Sequence, residues 1–211
     1  MSDFRRDLTA ADLKRMCIPP RYWNVTWEEI SNGDHREIVE NYLRKLPDMF
    51  ERGVGLLLWG ANGCGKTSAA VIVGKEYRRR GQTVLFFEAA ALKRAVIQRE
   101  MFDEDQDVWE RARDVDVLIL DDLGKGVQDK TGFGARLLDE LIRHRNAHER
   151  VTFITTNMSP FPQRDGEISQ LEDELKISTL HSLKECIVPV CVDGPDLRDK
   201  TKDELRELLR N

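Results

Sequence analysis

No apolar run in the chain approaches the roughly 20 residues needed to cross a bilayer, and the opening MSDFRRDLTA lacks the apolar core of a signal peptide. The expectation is a cytosolic protein with no membrane partner. Cysteine is scarce: Cys17, Cys64, Cys186 and Cys191 form no CxxC pair, so reduced thiols are expected and a zinc site is not. Positive charge is also short, with 33 Lys and Arg against 38 Asp and Glu. At a net charge of -5, any grip on nucleic acid must come from a local basic patch. Repeats and low-complexity tracts are absent, which excludes solenoids and long disordered stretches. What remains is 211 residues, 40% hydrophobic and 34% charged, close to one globular domain with room for a short appendage.

Residues 8 to 16 read as a short helix, with Thr9 as its cap and Asp12 three residues on. Pro19 and Pro20 stop it. Beyond Tyr22, Trp23 and Trp27, a second amphipathic helix is predicted over roughly 36–49, with Ile38, Tyr42, Leu43 and Leu46 at helical spacing. From Val54 the pattern changes to short, almost wholly apolar runs at 54–59, 83–87, 115–120, 151–155 and 186–190, separated by helical stretches near 65–80 and 134–148. Runs buried on both faces belong in a parallel sheet, so the predicted fold is α/β, a parallel five-stranded sheet between helices. The chain divides into a short helical N-terminal adaptor (1–50), a core (51–195) and a tail (196–211). In the tail a helix over 200–209 is expected to pack Leu205, Leu208 and Leu209 on the core.

The segment Gly60, Ala61, Asn62, Gly63, Cys64, Gly65, Lys66, Thr67 fits GxxxxGK[ST] between a buried strand and a helix, the context a phosphate-binding loop requires. Glycines let backbone amides curl around phosphate oxygens, and the helix start, which continues through Ser68, adds positive potential. Lys66 would neutralise the outer phosphates and Thr67 hold magnesium, making ATP and Mg2+ the expected cofactors. Leu118, Ile119 and Leu120 lead into Asp121 and Asp122. Asp121 can hold the metal through water, and Asp122 can orient or deprotonate the attacking water. A fourth strand ends in Thr155, Thr156, Asn157, where Asn157 either holds the nucleophilic water or γ-phosphate, or caps a turn.

With these three elements in order, the chain resembles the AAA+ family of P-loop NTPases, and more narrowly its DnaC/IstB group of helicase loaders and transposition ATPases. The narrower resemblance rests on IPPRYW, GLLLWGANGCGKT, LILDDLGKG, FITTN and VPVCVDGPDLR, and covers about Ile18 to Arg198. It implies an ATPase that self-assembles into a ring, spiral or filament and delivers a replicative ring helicase onto single-stranded DNA in the cytoplasm of a bacterial or phage-infected cell. The alternative is an IstB/TnsC-like regulator of transposition that polymerises on duplex DNA. Many AAA+ proteins have Glu where this chain has Asp122; the shorter arm predicts slow hydrolysis, with ATP acting mainly as an assembly switch. Only about 20 residues follow the last apolar run, which predicts no C-terminal lid domain. Arg198, which matches the arginine of the GPDLR ending, either contacts nucleotide phosphate or is solvated.

The usual trans-acting arginine has no counterpart in 175–184. Lys176 or Lys184 could substitute as a point charge, or Arg143, Arg145 or Arg164 could reach a neighbouring subunit. The resemblance places the DNA contact on Lys93, Arg94 and Arg99, with Lys125 and Lys130 as a second cluster; the other reading is a solvated helix face. For the first fifty residues it suggests a helicase-binding adaptor, against helices packed on their own core.

Overall fold

The structure, a computed structural model, describes residues 7–30, 33–102, 106–124, 132–164, 167–175 and 177–197. Helix α1 (Ala10–Arg15) begins at the expected capping box: the Thr9 hydroxyl accepts the Asp12 amide at 3.2 Å, and the Asp12 carboxylate accepts the Thr9 amide at 3.1 Å. The helix predicted over 36–49 is two helices, α2 (Asp34–Arg44) and α3 (Leu46–Glu51). Pro47 lacks the amide a continuous helix would need, and its ring clashes with the carbonyl four residues back. Its buried face is also narrower than expected. His35, Val39, Tyr42 and Leu46 point inward, while Ile38 is 40% exposed.

Each apolar run forms a strand: β1 (Gly55–Trp59), β2 (Val84–Glu88), β3 (Val117–Leu123), β4 (Val151–Thr156) and β5 (Ile187–Cys191). All pair in parallel, in the order β2-β3-β4-β1-β5. Strand periodicity divides the core into two layers. Leu56, Leu58, Ile119 and Phe153 meet helix α4 (Lys66–Arg79) on one face, in the same cluster as Leu13, Met16, Ile30, Val39 and Leu46 from the first fifty residues. Leu57, Leu118, Leu120 and Ile154 face the other side. There they pack with residues of α5 (Ala89–Phe102), α6 (Gln106–Asp114), α7 (Phe133–Ala147), α8 (Gln170–Glu174) and α9 (Ile177–Cys186).

Burial on both faces fails only for β5 among the strands read as core runs. It lies at the sheet edge, Val188 is 46% exposed, and Pro189, which has no ladder donor, is tolerated there. The other edge is partly covered, because the Phe86 amide of β2 donates to the Met16 carbonyl at 2.8 Å. Among the described residues no helix is long and apolar enough to cross a membrane. The predicted tail helix, Arg198, Lys176, Lys125 and Lys130 lie outside the described residues.

Candidate nucleotide site

In a parallel sheet the carboxyl ends of the strands share one edge, and the candidate residues gather there. Between β1 and α4 the loop turns through Gly63 (φ 78°) and Gly65 (φ 97°), a region that L side chains rarely adopt. Gly65 serves as N-cap of α4, leaving the first amides of the helix directed toward the loop. Lys66 is 8% exposed, and its ammonium donates to the carbonyls of Gly60 at 3.0 Å and Ala61 at 2.5 Å. Cys64 is buried below the loop, Ala61 and Asn62 are exposed at its crest, and Thr67 and Ser68 are half-buried in the first turn of α4.

Across from the loop, the Thr67 hydroxyl donates to Asp121 Oδ1 at 2.8 Å. A second hydroxyl, from Thr155, donates to the same oxygen at 2.6 Å. Burial pushes the Asp121 carboxyl above its ordinary range, and the two hydroxyls and the Arg21 cation pull it back toward the charged form. The strand that carries it is longer than expected. It continues through Asp121 and Asp122 and bulges, so the pairing with β4 slips between Leu120 and Leu123. Asp122 sits at φ 53°, a left-handed position that Asp tolerates better than most side chains, and its amide donates to Thr155 Oγ1 at 2.9 Å. The bulge separates the two acids: Asp121 is 4% exposed, whereas Asp122 faces solvent.

Asn157 is the first residue beyond β4 and is exposed. Beside it the Met158 amide donates to Thr156 Oγ1 at 3.1 Å, so Thr156 caps this turn. The closing VDGPDL stretch packs on the loop. The Leu197 amide donates to the Gly63 carbonyl at 2.9 Å, and a Cβ added at Gly63 would lie 1.9 Å from Asp196 Oδ1.

Among the described residues no three of His, Cys, Asp and Glu cluster as a metal site. A divalent cation here would be held by Thr67, Asp121, water and the phosphates of a nucleotide. That donor set suits Mg2+, which keeps several waters and takes one or two protein ligands. If Lys66 engages phosphate, Lys66→Ala should weaken Mg2+-nucleotide binding by roughly a hundredfold, the worth of one or two charge-assisted hydrogen bonds. Fluorescent-nucleotide titration measures this, and unchanged affinity would remove Lys66 from the site.

Three residues that sequence reasoning did not assign belong to this neighbourhood. Thr155 is the first. Tyr22 and Arg21 are the others: burial raises the pKa of the Tyr22 phenol, the Thr67 side chain and the Arg21 cation pull it back, and Asp121 adds to the rise. Sequence offered only the Pro-Pro-Arg-Tyr turn as a signal.

The candidate arginines separate clearly. Arg145 is fully buried and donates to the carbonyls of Ala112, Arg113, Val115, Asp116 and Val151 and to the Thr152 hydroxyl, so it cannot reach another subunit. Arg143 is exposed and pairs with Asp139 at 3.2 Å; Arg164 and Lys184 are exposed. Of the DNA candidates, Lys93 is half-buried and Arg94 exposed on α5, which starts directly after β2 at the same sheet edge, while the side chain of Arg99 lies outside the described ones, as does Lys125.

The profile of the family described as "IstB-like ATP binding protein" matches residues 6–203. No curated protein matches the chain. Among solved structures, a DnaC helicase loader is 24% identical at TM-score 0.71, covering 83% of this chain and 100% of that one. A DnaI structure is 21% identical at TM-score 0.66, covering 86% of this chain and 94% of that one. A replication initiator DnaA bound to AMPPCP and single-stranded DNA is 19% identical at TM-score 0.65, covering 90% of this chain but 56% of that one. At these identities the likeness is one of fold.

Proposed function

The chain belongs to the IstB-like ATP-binding protein family, in the DnaC/IstB group of AAA+ proteins, and from that premise we propose that it is a magnesium-dependent ATPase that loads a replicative helicase. The observation that carries the chemistry is the Thr67–Asp121–Thr155 arrangement beside Lys66: two hydroxyls on one buried carboxylate, next to an ammonium and a helix start. In this reading Lys66 and the amides from Gly60 to Ser68 take the phosphates, with Arg198 beside them. Thr67 and Asp121 hold Mg2+, Asp122 activates water and Asn157 orients it or reads the γ-phosphate. Bound metal supplies charge neutralisation across the phosphates. Asp122 lies in the left-handed region where the pairing of β3 with β4 slips, and it is exposed, which leaves its carboxylate open to water.

The loader assignment is supported by the fold shared with DnaC and DnaI over most of those chains. In it the protein self-assembles with ATP, grips single-stranded DNA through Lys93, Arg94, Arg99 and Lys125, and presents its first fifty residues to the helicase. The test mixes the full chain with Mg2+ and a non-hydrolysable ATP analogue, then with single- or double-stranded DNA, and follows size by light scattering. Assembly that needs the analogue and prefers single strands is expected. Long filaments on duplex DNA would replace the loader by a transposition regulator, and a monomer indifferent to both would overturn the assembly reading.

A further inference from the structure

A turn from the N-terminal segment carries side chains that interact with Thr67 and Asp121. Pro19 and Pro20 fix its entry, the backbone forms a single 3-10 turn over Pro20–Tyr22, and the Trp23 indole donates to the Ile18 carbonyl at 2.7 Å. Lys75, 5% exposed on α4, inserts its ammonium beneath the turn and donates to the carbonyls of Tyr22 at 2.9 Å, Trp23 at 2.7 Å and Val25 at 3.4 Å. The turn is thereby tied to the helix that begins with Lys66 and Thr67.

Two side chains project from it toward the site. The Tyr22 ring lies 6.4 Å from that of Phe86 on β2, two residues before Glu88, which pairs in register with Asp121, and its hydroxyl interacts with the Thr67 side chain. The Arg21 guanidinium sits 4.6 Å above the Tyr22 ring and shares electrostatic contact with Asp121. Stacking on Tyr22 restricts the arginine, so less rotamer freedom is lost when it binds an anion. The neighbourhood of Asp121 therefore has a second cation besides Lys66, exposed and stacked on the Tyr22 ring.

We propose that Arg21 and Tyr22 form a further wall of the nucleotide site, which contacts the terminal phosphate of a nucleoside triphosphate, or the water around its metal, and discriminates triphosphate from diphosphate. This rests on the nucleotide reading of Lys66 and Thr67. A guanidinium offers a planar fork that matches two phosphate oxygens, and in this proposal the fork meets the terminal phosphate that a diphosphate lacks.

The experiment titrates the full chain, with Mg2+, against fluorescent ADP and a fluorescent non-hydrolysable ATP analogue, for the parent, Arg21→Ala, Arg21→Lys, Tyr22→Phe and Lys66→Ala, with thermal melts to verify folding. Arg21→Ala should weaken the triphosphate by roughly tenfold or more while changing ADP by less than about twofold. Arg21→Lys should recover part of the loss, since lysine restores the charge without the fork. Equal weakening of both nucleotides, or none in both Arg21→Ala and Tyr22→Phe, overturns the proposal while Lys66→Ala still shows a working site. A parent chain that binds neither nucleotide overturns the underlying site and this wall with it. Should Arg21→Ala fail to fold, Arg21→Lys and Tyr22→Phe decide by the same ratio.

Discussion

Asp122→Asn is expected to leave nucleotide affinity within about twofold of the parent while lowering ATP turnover by roughly a hundredfold or more, the worth of a positioned general base. Asparagine preserves size and also accepts the left-handed conformation at φ 53°, so the bulge and the bond from residue 122 to Thr155 should survive. Asp121, buried and bonded to both Thr67 and Thr155, remains in place for its proposed role as metal ligand. In the proposed reading only the ability to take a proton from water is lost. Phosphate release is measured with saturating Mg2+-ATP and single-stranded DNA, beside binding of a fluorescent ATP analogue. Parent-like turnover would show that Asp122 is not the base. Loss of binding in step with turnover would instead assign Asp122 to the metal.

The two acids also show where the sequence could be followed and where it could not. Their position at the end of an apolar run was legible because a buried strand admits carboxylates only where it meets a site or solvent. The bulge was not, since it arises from how β3 pairs with β4 and leaves no mark on the side-chain pattern. Thr155 was missed for the same reason: threonine is common in strands, and only adjacency of β3 and β4 brings its hydroxyl to Asp121. The phosphate-binding loop was readable from spacing alone, because strand, glycines, lysine and threonine are local. Tyr22 and Lys75 were not, being joined to the site by tertiary packing. The break between α2 and α3, by contrast, is legible at Pro47, which cannot continue the hydrogen bonding of α2.

Arg145 gives the largest expected effect on stability, and its role follows from helix spacing. On α7 it lies on the face of Leu138, Leu141 and Ile142, all buried, so a charged residue is carried into the interior among apolar neighbours. Burial depresses its pKa to about 9, which still leaves a cation at neutral pH. The cation is satisfied by backbone carbonyls from two places, Ala112 to Asp116 ahead of β3 and Val151 at the start of β4, and by the Thr152 hydroxyl. One side chain thus fixes the entry of both strands whose far ends carry Asp121 and Thr155. Arg145→Met fills much of the volume but leaves those carbonyls without a donor, for a cost of about 3–5 kcal/mol, the range seen when a buried charge network loses one partner. In a chain of 211 residues that corresponds to a fall in melting temperature of roughly 6–20 °C. Arg145→Lys should rescue little, because an ammonium has three donors and no planar fork. Calorimetry or circular dichroism measures the midpoint. A shift below about 3 °C in Arg145→Met would mean that water or a local rearrangement satisfies the carbonyls, and that β3 and β4 hold their register without this residue.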